Sequence, residues 1–234
     1  MGVLIFGVFM DFEKFNSLGC RAKHDYIKNE FIANQHSFSR RRIVRGIGVN
    51  NSKYLVRPKI GNIKVIDPCY SAWSDMMMRC YDKKYHAKQP TYSSCTIDRD
   101  WLLFSSFAEW WEANQVDGWQ IDKDILVYNN TIYSPDLCVF VPAVVNLFIG
   151  DNAASRGEWP IGVSWDSERG KFKSMCNNPI TDKYEFLGRF NNPELAHDKW
   201  RCRKLELIPI LCGNFPNMDS RVESALINRY AKNG

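Results

Sequence analysis

Two aromatic-rich stretches constrain this chain more than anything else in it. In YSAWSDMMMRCY, Tyr70, Trp73, Met77 and Cys80 recur at three- and four-residue steps. In DWLLFSSFAEWWEAN, Trp101, Phe104, Phe107 and Trp111 do the same. That period belongs to a helix, so each stretch folds as a helix with a wide apolar stripe to bury. Asp67-Pro68 precedes the first helix, and the second starts near Asp100.

Elsewhere the apolar period drops to two, the mark of strands. RGIGVNNSKYLV reads as a β-hairpin turning at Asn50-Asn51-Ser52. The Gly46-Ile47-Gly48 inside it lacks the third glycine and the following helix of a dinucleotide site. After Gly118 a strand is followed by a polar turn at Asn129-Asn130, a Ser-Pro-Asp cap at 134–136, and a short apolar element ending at Gly150. The last third gives strands over Gly162–Trp165, Lys171–Cys176 and Tyr184–Phe190, the first two joined by the Asp166–Gly170 turn. A helix then starts with Asn192 as cap and Pro193 at its first position, and Ala196 and Trp200 lay it on the sheet. A final short helix, capped by Asp219, carries Val222, Leu226 and Tyr230 at four-residue steps. The expected fold class is α+β, ending in a small three-stranded antiparallel sheet packed on one helix.

Composition bounds what such a chain can be. With 234 residues, 45% of them hydrophobic, it has material for one large or two modest domains and is not a disordered chain. The apolar opening MGVLIFGVFM is too short to span a membrane and lacks the features of a signal peptide. The expectation is a soluble protein of the cytoplasm with no membrane partner. Eight cysteines include no CxxC pair and read as reduced thiols. Cys69, Cys80, Cys95 and Cys138 are the set that could converge on a zinc ion, a minority reading against buried thiols. The net charge is +5, with both ends basic and the middle mildly acidic. This permits nucleic-acid binding without requiring it. SFSRRR, Ser37 to Arg42, is either a solvated arm or one that contacts phosphates.

The most informative pattern is Lys171-Phe172-Lys173. Period-two alternation turns Phe172 toward the covering helix and leaves Lys171 and Lys173 pointing outward together. Such a face is either a plain soluble surface or a sheet laid into a DNA major groove.

Several motifs carry a resemblance. PIGVSWDSERGKFKSMC and YEFLGRFNNPELAHDKW resemble the DNA-binding domain of the APETALA/ethylene-response-factor (ERF) type. The matching elements are Gly162-Val163, Gly170-Lys171-Phe172, Leu187-Gly188-Arg189-Phe190, Pro193-Glu194-Leu195-Ala196 and Trp200, with Phe186 where plant members commonly carry tryptophan. The resemblance implies a DNA-facing set of Ser164, Trp165, Arg169, Lys171, Lys173 and Arg189. Lys171 and Lys173 would contact phosphate, and Trp165 and Arg169 would contact base edges.

The preceding block resembles phage HNH homing-endonuclease-like proteins through YSAWSDMMMRCY, PTYSSC, DRDWLLFSSFAEWW, IDKDI and YSPDLCVFVPAVVN. That resemblance implies a degenerate ββα-metal fold, with Asp122, Asp136 and Asn146 around a divalent Mg or Mn ion and metal-dependent cleavage of DNA. Lys123 stands where the base histidine is expected, and His86 in an earlier loop is the available imidazole. The candidate catalytic set is therefore His86, Asp122 and Lys123. The expected layout is an appendage at 1–42, basic at its end, and an HNH-like domain at 43–150. A linker follows at 151–160, then an ERF-type domain at 161–212 and a C-terminal helix at 213–234. The expected partner is double-stranded DNA, with a homodimer possible, in a protein of phage or mobile-element type acting in a bacterial host cell. The alternative is a catalytically inactive DNA-binding regulator or accessory protein that keeps the middle domain as scaffold.

Overall fold

The computed structural model describes residues 10–150 and 157–231. It is a mixed α+β chain divided into two compact units. Residues 10–118 and 131–136 form the first among the described residues, and 119–130, 137–150 and 157–231 the second.

In the first unit α1 (Phe12–Ser17), α2 (Cys20–Glu30), α3 (Gln35–Ser39), α4 (Pro68–Tyr81), α5 (Lys83–Lys88) and α6 (Phe104–Asn114) surround an aromatic core. The first unit also holds the short strands β1 (Lys59–Ile60), β2 (Ile63–Lys64), β3 (Thr96–Ile97) and β5 (Ile132–Tyr133). Asp67 caps α4 by accepting from the Cys69 amide, with Pro68 pre-set for the first turn. The expected stripe of α4 is buried in full, and so are Trp101, Phe104, Phe107 and Trp111. Trp101 lies in a short 3-10 turn ahead of α6, so the second helix starts at Phe104 rather than near Asp100. The buried Trp73 indole keeps its N–H satisfied by donating to the Trp101 carbonyl at 2.7 Å.

The hairpin expected over residues 45–56 does not form. Val49 bridges Leu103, and Tyr54 bridges Ile32. Two side chains account for the difference. Asn50 accepts from the Ser52 amide, and Arg41 donates to the carbonyls of Asn50, Ser52 and Tyr54, consuming hydrogen bonds that a hairpin would have used. Arg41 is thus a brace inside the fold, which leaves Arg40 and Arg42 as the exposed members of the basic run. Gly48 also gains a physical reason, because a Cβ there would meet the Met77 methyl at 2.5 Å and the Trp73 ring at 2.9 Å.

Residues 10–42 are no appendage, since Phe15, His24 and Ile27 are buried in this unit. The boundary expected at residue 150 is placed differently as well. In the second unit an antiparallel pair, β4 (Trp119–Asp122) with β6 (Val139–Pro142), leads directly into α7 (Ala143–Ile149). Ile125, Val139, Val141, Val145 and Phe148 share one core with Trp200, Leu207, Ile208 and Leu211 of α8 (Pro193–Gly213) and with Val222, Leu226 and Tyr230 of α9 (Arg221–Ala231). The apolar element before Gly150 therefore belongs with the C-terminal helices, whose stripes it helps to bury. Part of the expected linker, residues 151–156, lies outside the described residues.

Lys204, on α8, is buried in that core. Its ammonium donates to the Phe148 carbonyl at 2.5 Å and sits 3.7 Å from the centre of the Phe148 ring, so a cation meets the carboxyl end of α7. No helix among the described residues is long and apolar enough to cross a membrane.

Candidate nucleic-acid interface

The sheet at the carboxyl end runs β7 (Val163–Asp166), β8 (Lys171–Asn178) and β9 (Lys183–Phe190), antiparallel throughout and in sequence order. Gly162 opens it with φ +81°, and a Cβ there would fall 2.2 Å from the Trp200 ring. Only glycine lets strand and helix approach this closely. The helix-facing side carries Val163, Phe172, Ser174 and Cys176, and the Ser174 hydroxyl donates to the Ala196 carbonyl of α8 at 2.7 Å.

Residues paired across strands share a face, so the register gives the side of the sheet for each expected residue that lies on a strand. Ser164, Lys173 and Arg189 form one outer row, and Asp166 and Lys171 a second. Lys171 and Lys173 stand on the same outer side, as the alternation predicts. Trp165 does not join them. It pairs with Phe172, which pairs with Phe190, and its ring lies 4.8 Å from the Phe172 ring, on the side where α8 packs. The role of Trp165 as a base reader beside the lysines is corrected by this register. Arg169, in the β7–β8 turn, is half-exposed and within 3.7 Å of Asp166 and 3.4 Å of Glu168. Arg189 donates to Asp166 at 2.7 Å and lies 4.8 Å over the Phe186 ring. The Arg189 hydrogen bond holds the Asp166 carboxyl below its usual range.

Sequence reasoning missed two members of this face. Phe186 pairs with Met175 and Tyr184 with Asn177, both in the outer set, and their relative exposures are 52% and 75%. Period-two reading of YEFLGRF puts Tyr184 and Phe186 on one side. The irregularity between Ser174 and Met175, opposite Phe186 and Gly188, hides their alignment with Arg189.

The expected catalytic and metal-holding residues fall in both units. His86 and Asp136 belong to the first; Asp122, Lys123 and Asn146 belong to the second. His86 Nε2 hydrogen-bonds the Arg79 carbonyl at 2.8 Å. Asp122 ends its strand and accepts from the amides of Asp124 and Ile125 at 2.8 Å, closing a tight loop. Burial first, and the Asp124 charge second, push its carboxyl up to about 6. Lys123 donates to the Asn130 carbonyl at 2.8 Å while the Asn130 amide donates to the Lys123 carbonyl at 2.6 Å, a reciprocal latch on the same loop. Asn146 donates to Gln120 at 2.9 Å.

The four-cysteine zinc set does not converge. Among the described residues the one His/Cys/Asp/Glu grouping close enough to share an ion is His24, Asp67 and Cys69, within 4.8 Å. Its chemistry is that of a proton network. His24 Nδ1 lies 2.8 Å from Asp67 and Nε2 lies 2.9 Å from Glu112, so neither ring nitrogen offers a lone pair. Tyr54 donates to the other Asp67 oxygen at 2.6 Å, and burial lifts the Cys69 thiol well above its ordinary value. Protein-family models, curated proteins and solved structures yield no match to this chain. The reading of function rests on the face and its charges.

Proposed function

We propose that this chain binds double-stranded DNA through the outer face of the β7–β9 sheet, with selectivity for sequence. The observation that carries the reading is the placement of Lys171, Lys173 and Arg189 on one side, while α8 covers the other. Lys171 and Lys173 meet phosphates and release counterions, while Ser164 and the turn residue Arg169 reach toward base edges. Arg189, already held by Asp166, positions the face as much as it contacts DNA. A gel-shift series over increasing salt tests this. Lys171→Ala and Lys173→Ala each weaken binding uniformly across sequences and lower the salt slope by about 1. Affinity indifferent to salt would sink the proposal.

Metal-dependent phosphodiester cleavage is a second reading, favoured by one observation: the strand–strand–helix order of Trp119–Asp122, Val139–Pro142 and α7, with the raised Asp122 carboxyl at a strand end. Asp122 is the residue that would hold Mg or Mn. The imidazole of the second unit, His197, donates from Nδ1 to the Ile161 carbonyl at 2.8 Å and stacks on Trp200, 5.2 Å between ring centres. Neither of these contacts is with Asp122, and a silent DNA-binding scaffold is the counter-reading. Nicking of plasmid DNA with Mg²⁺ or Mn²⁺, abolished in Asp122→Asn with binding intact, decides between them.

A further inference from the structure

The outer face carries more than cations. Phe186, opposite Met175, lies one row from the Lys173–Arg189 pair, and Tyr184, opposite Asn177, lies one row further on, each with half or more of its surface open. Alternate residues of a strand are ~7 Å apart. Successive bases of a duplex strand rise by ~3.4 Å. Two neighbouring bases cannot stay stacked on one another and also lie on both rings. Bases that do lie on them must be unpaired and unstacked. The Phe186 ring is already braced by the Arg189 guanidinium, which Asp166 holds in turn, so one aromatic surface is fixed in position before any ligand arrives. Lys173 and then Lys171 continue the line beyond Phe186 on the neighbouring strand at the same spacing, where they match the charge of the phosphates that follow in a strand laid along the sheet.

We propose that this face takes unpaired nucleotides, stacking two successive bases on Tyr184 and Phe186 while Lys171 and Lys173 hold the adjoining phosphates. The inference rests on the DNA-binding reading above and narrows its ligand to DNA with a single-stranded interruption. Selectivity then arises partly from duplex structure, because every base has a face to stack.

Fluorescence anisotropy with the full chain tests it, using a labelled duplex and the same duplex with a short single-stranded gap at equal salt. The gapped DNA binds on the order of tenfold more tightly. Tyr184→Ala and Phe186→Ala each reduce that preference toward the level of the intact duplex, Tyr184→Phe retains it, and Lys171→Ala weakens both DNAs alike. Equal affinity of the wild-type chain for the two DNAs overturns the stacking proposal and leaves duplex binding standing. A preference that survives Tyr184→Ala and Phe186→Ala also overturns it, whereas binding to neither DNA overturns the DNA-binding reading itself.

Discussion

Lys204 and His24 are buried cations with opposite electrostatic settings. Lys204 has an aromatic surround and a carbonyl acceptor, and burial pushes its ammonium down to about 8. A lysine depressed in the folded state costs stability while both states are protonated. That cost is relieved as pH rises from about 8 toward the ordinary 10.5. The full effect is ~3 kcal/mol. Lys204→Met should therefore exceed the wild type in stability at pH 7, and the gap should close toward pH 10. Denaturation curves for the pair at several pH values measure this, and a gap constant with pH contradicts it. Comparing the pair also cancels the buried thiol of Cys212, which burial raises and which acts the other way.

For His24, burial opposes the charge, yet the hydrogen bonds and charges of Asp67 and Glu112 prevail and raise it above 6.5. Its contribution is complete below pH 6.5 and is lost as pH rises through the higher folded value. Asp67→Ala strips His24 of a carboxylate, Tyr54 of its acceptor and α4 of its cap. It should cost about 3–5 kcal/mol in urea unfolding. A loss below about 1 kcal/mol would show that the network does not hold the unit together.

Elements with their own punctuation were legible in the sequence. Helix α8 announces itself through Asn192, whose side chain accepts from the Glu194 and Leu195 amides, and through Pro193 behind it. The α4 stripe and the final helix at Val222, Leu226 and Tyr230 follow the same logic. The stretch at 45–56 was not legible, because its partners Ile32 and Leu103 lie far away in sequence and the bracing Arg41 reads as a surface cation. Trp165 was misplaced for a related reason. Its side of the sheet depends on pairing with Phe172, which alternation within β7 alone does not fix. Gly162 carries the sharpest prediction at this scale. Gly162→Ala must fit a methyl against the Trp200 indole while holding φ at +81°. The cost should be about 2–4 kcal/mol, read as a lower urea midpoint, and a cost under about 1 kcal/mol would mean that strand and helix separate easily.

The path of the chain decides what can be isolated. It enters the second unit at Trp119, returns to the first for Thr131–Asp136, and re-enters the second at Leu137. The return completes a parallel pair, Thr96 with Ile132 and Ile97 with Tyr133. A fragment of residues 157–234 lacks Ile125, Val139, Val141, Val145 and Phe148, five members of the core that supports the sheet. It should show no cooperative thermal transition by circular dichroism, whereas a fragment of residues 119–234 should show one. A sharp transition in the shorter piece would mean that α8 and α9 suffice to hold the sheet.

The interleaved path also bears on how such a protein can change over generations. A lysine-bearing sheet that ended its own domain could be passed to another gene by one crossover. Here the connection between the two strands of the pair in the same unit includes six residues, 131–136, that belong to the other unit, so a single breakpoint damages either donor or recipient. Novelty in this lineage is expected to come from residues exchanged on the exposed face rather than from the shuffling of whole pieces.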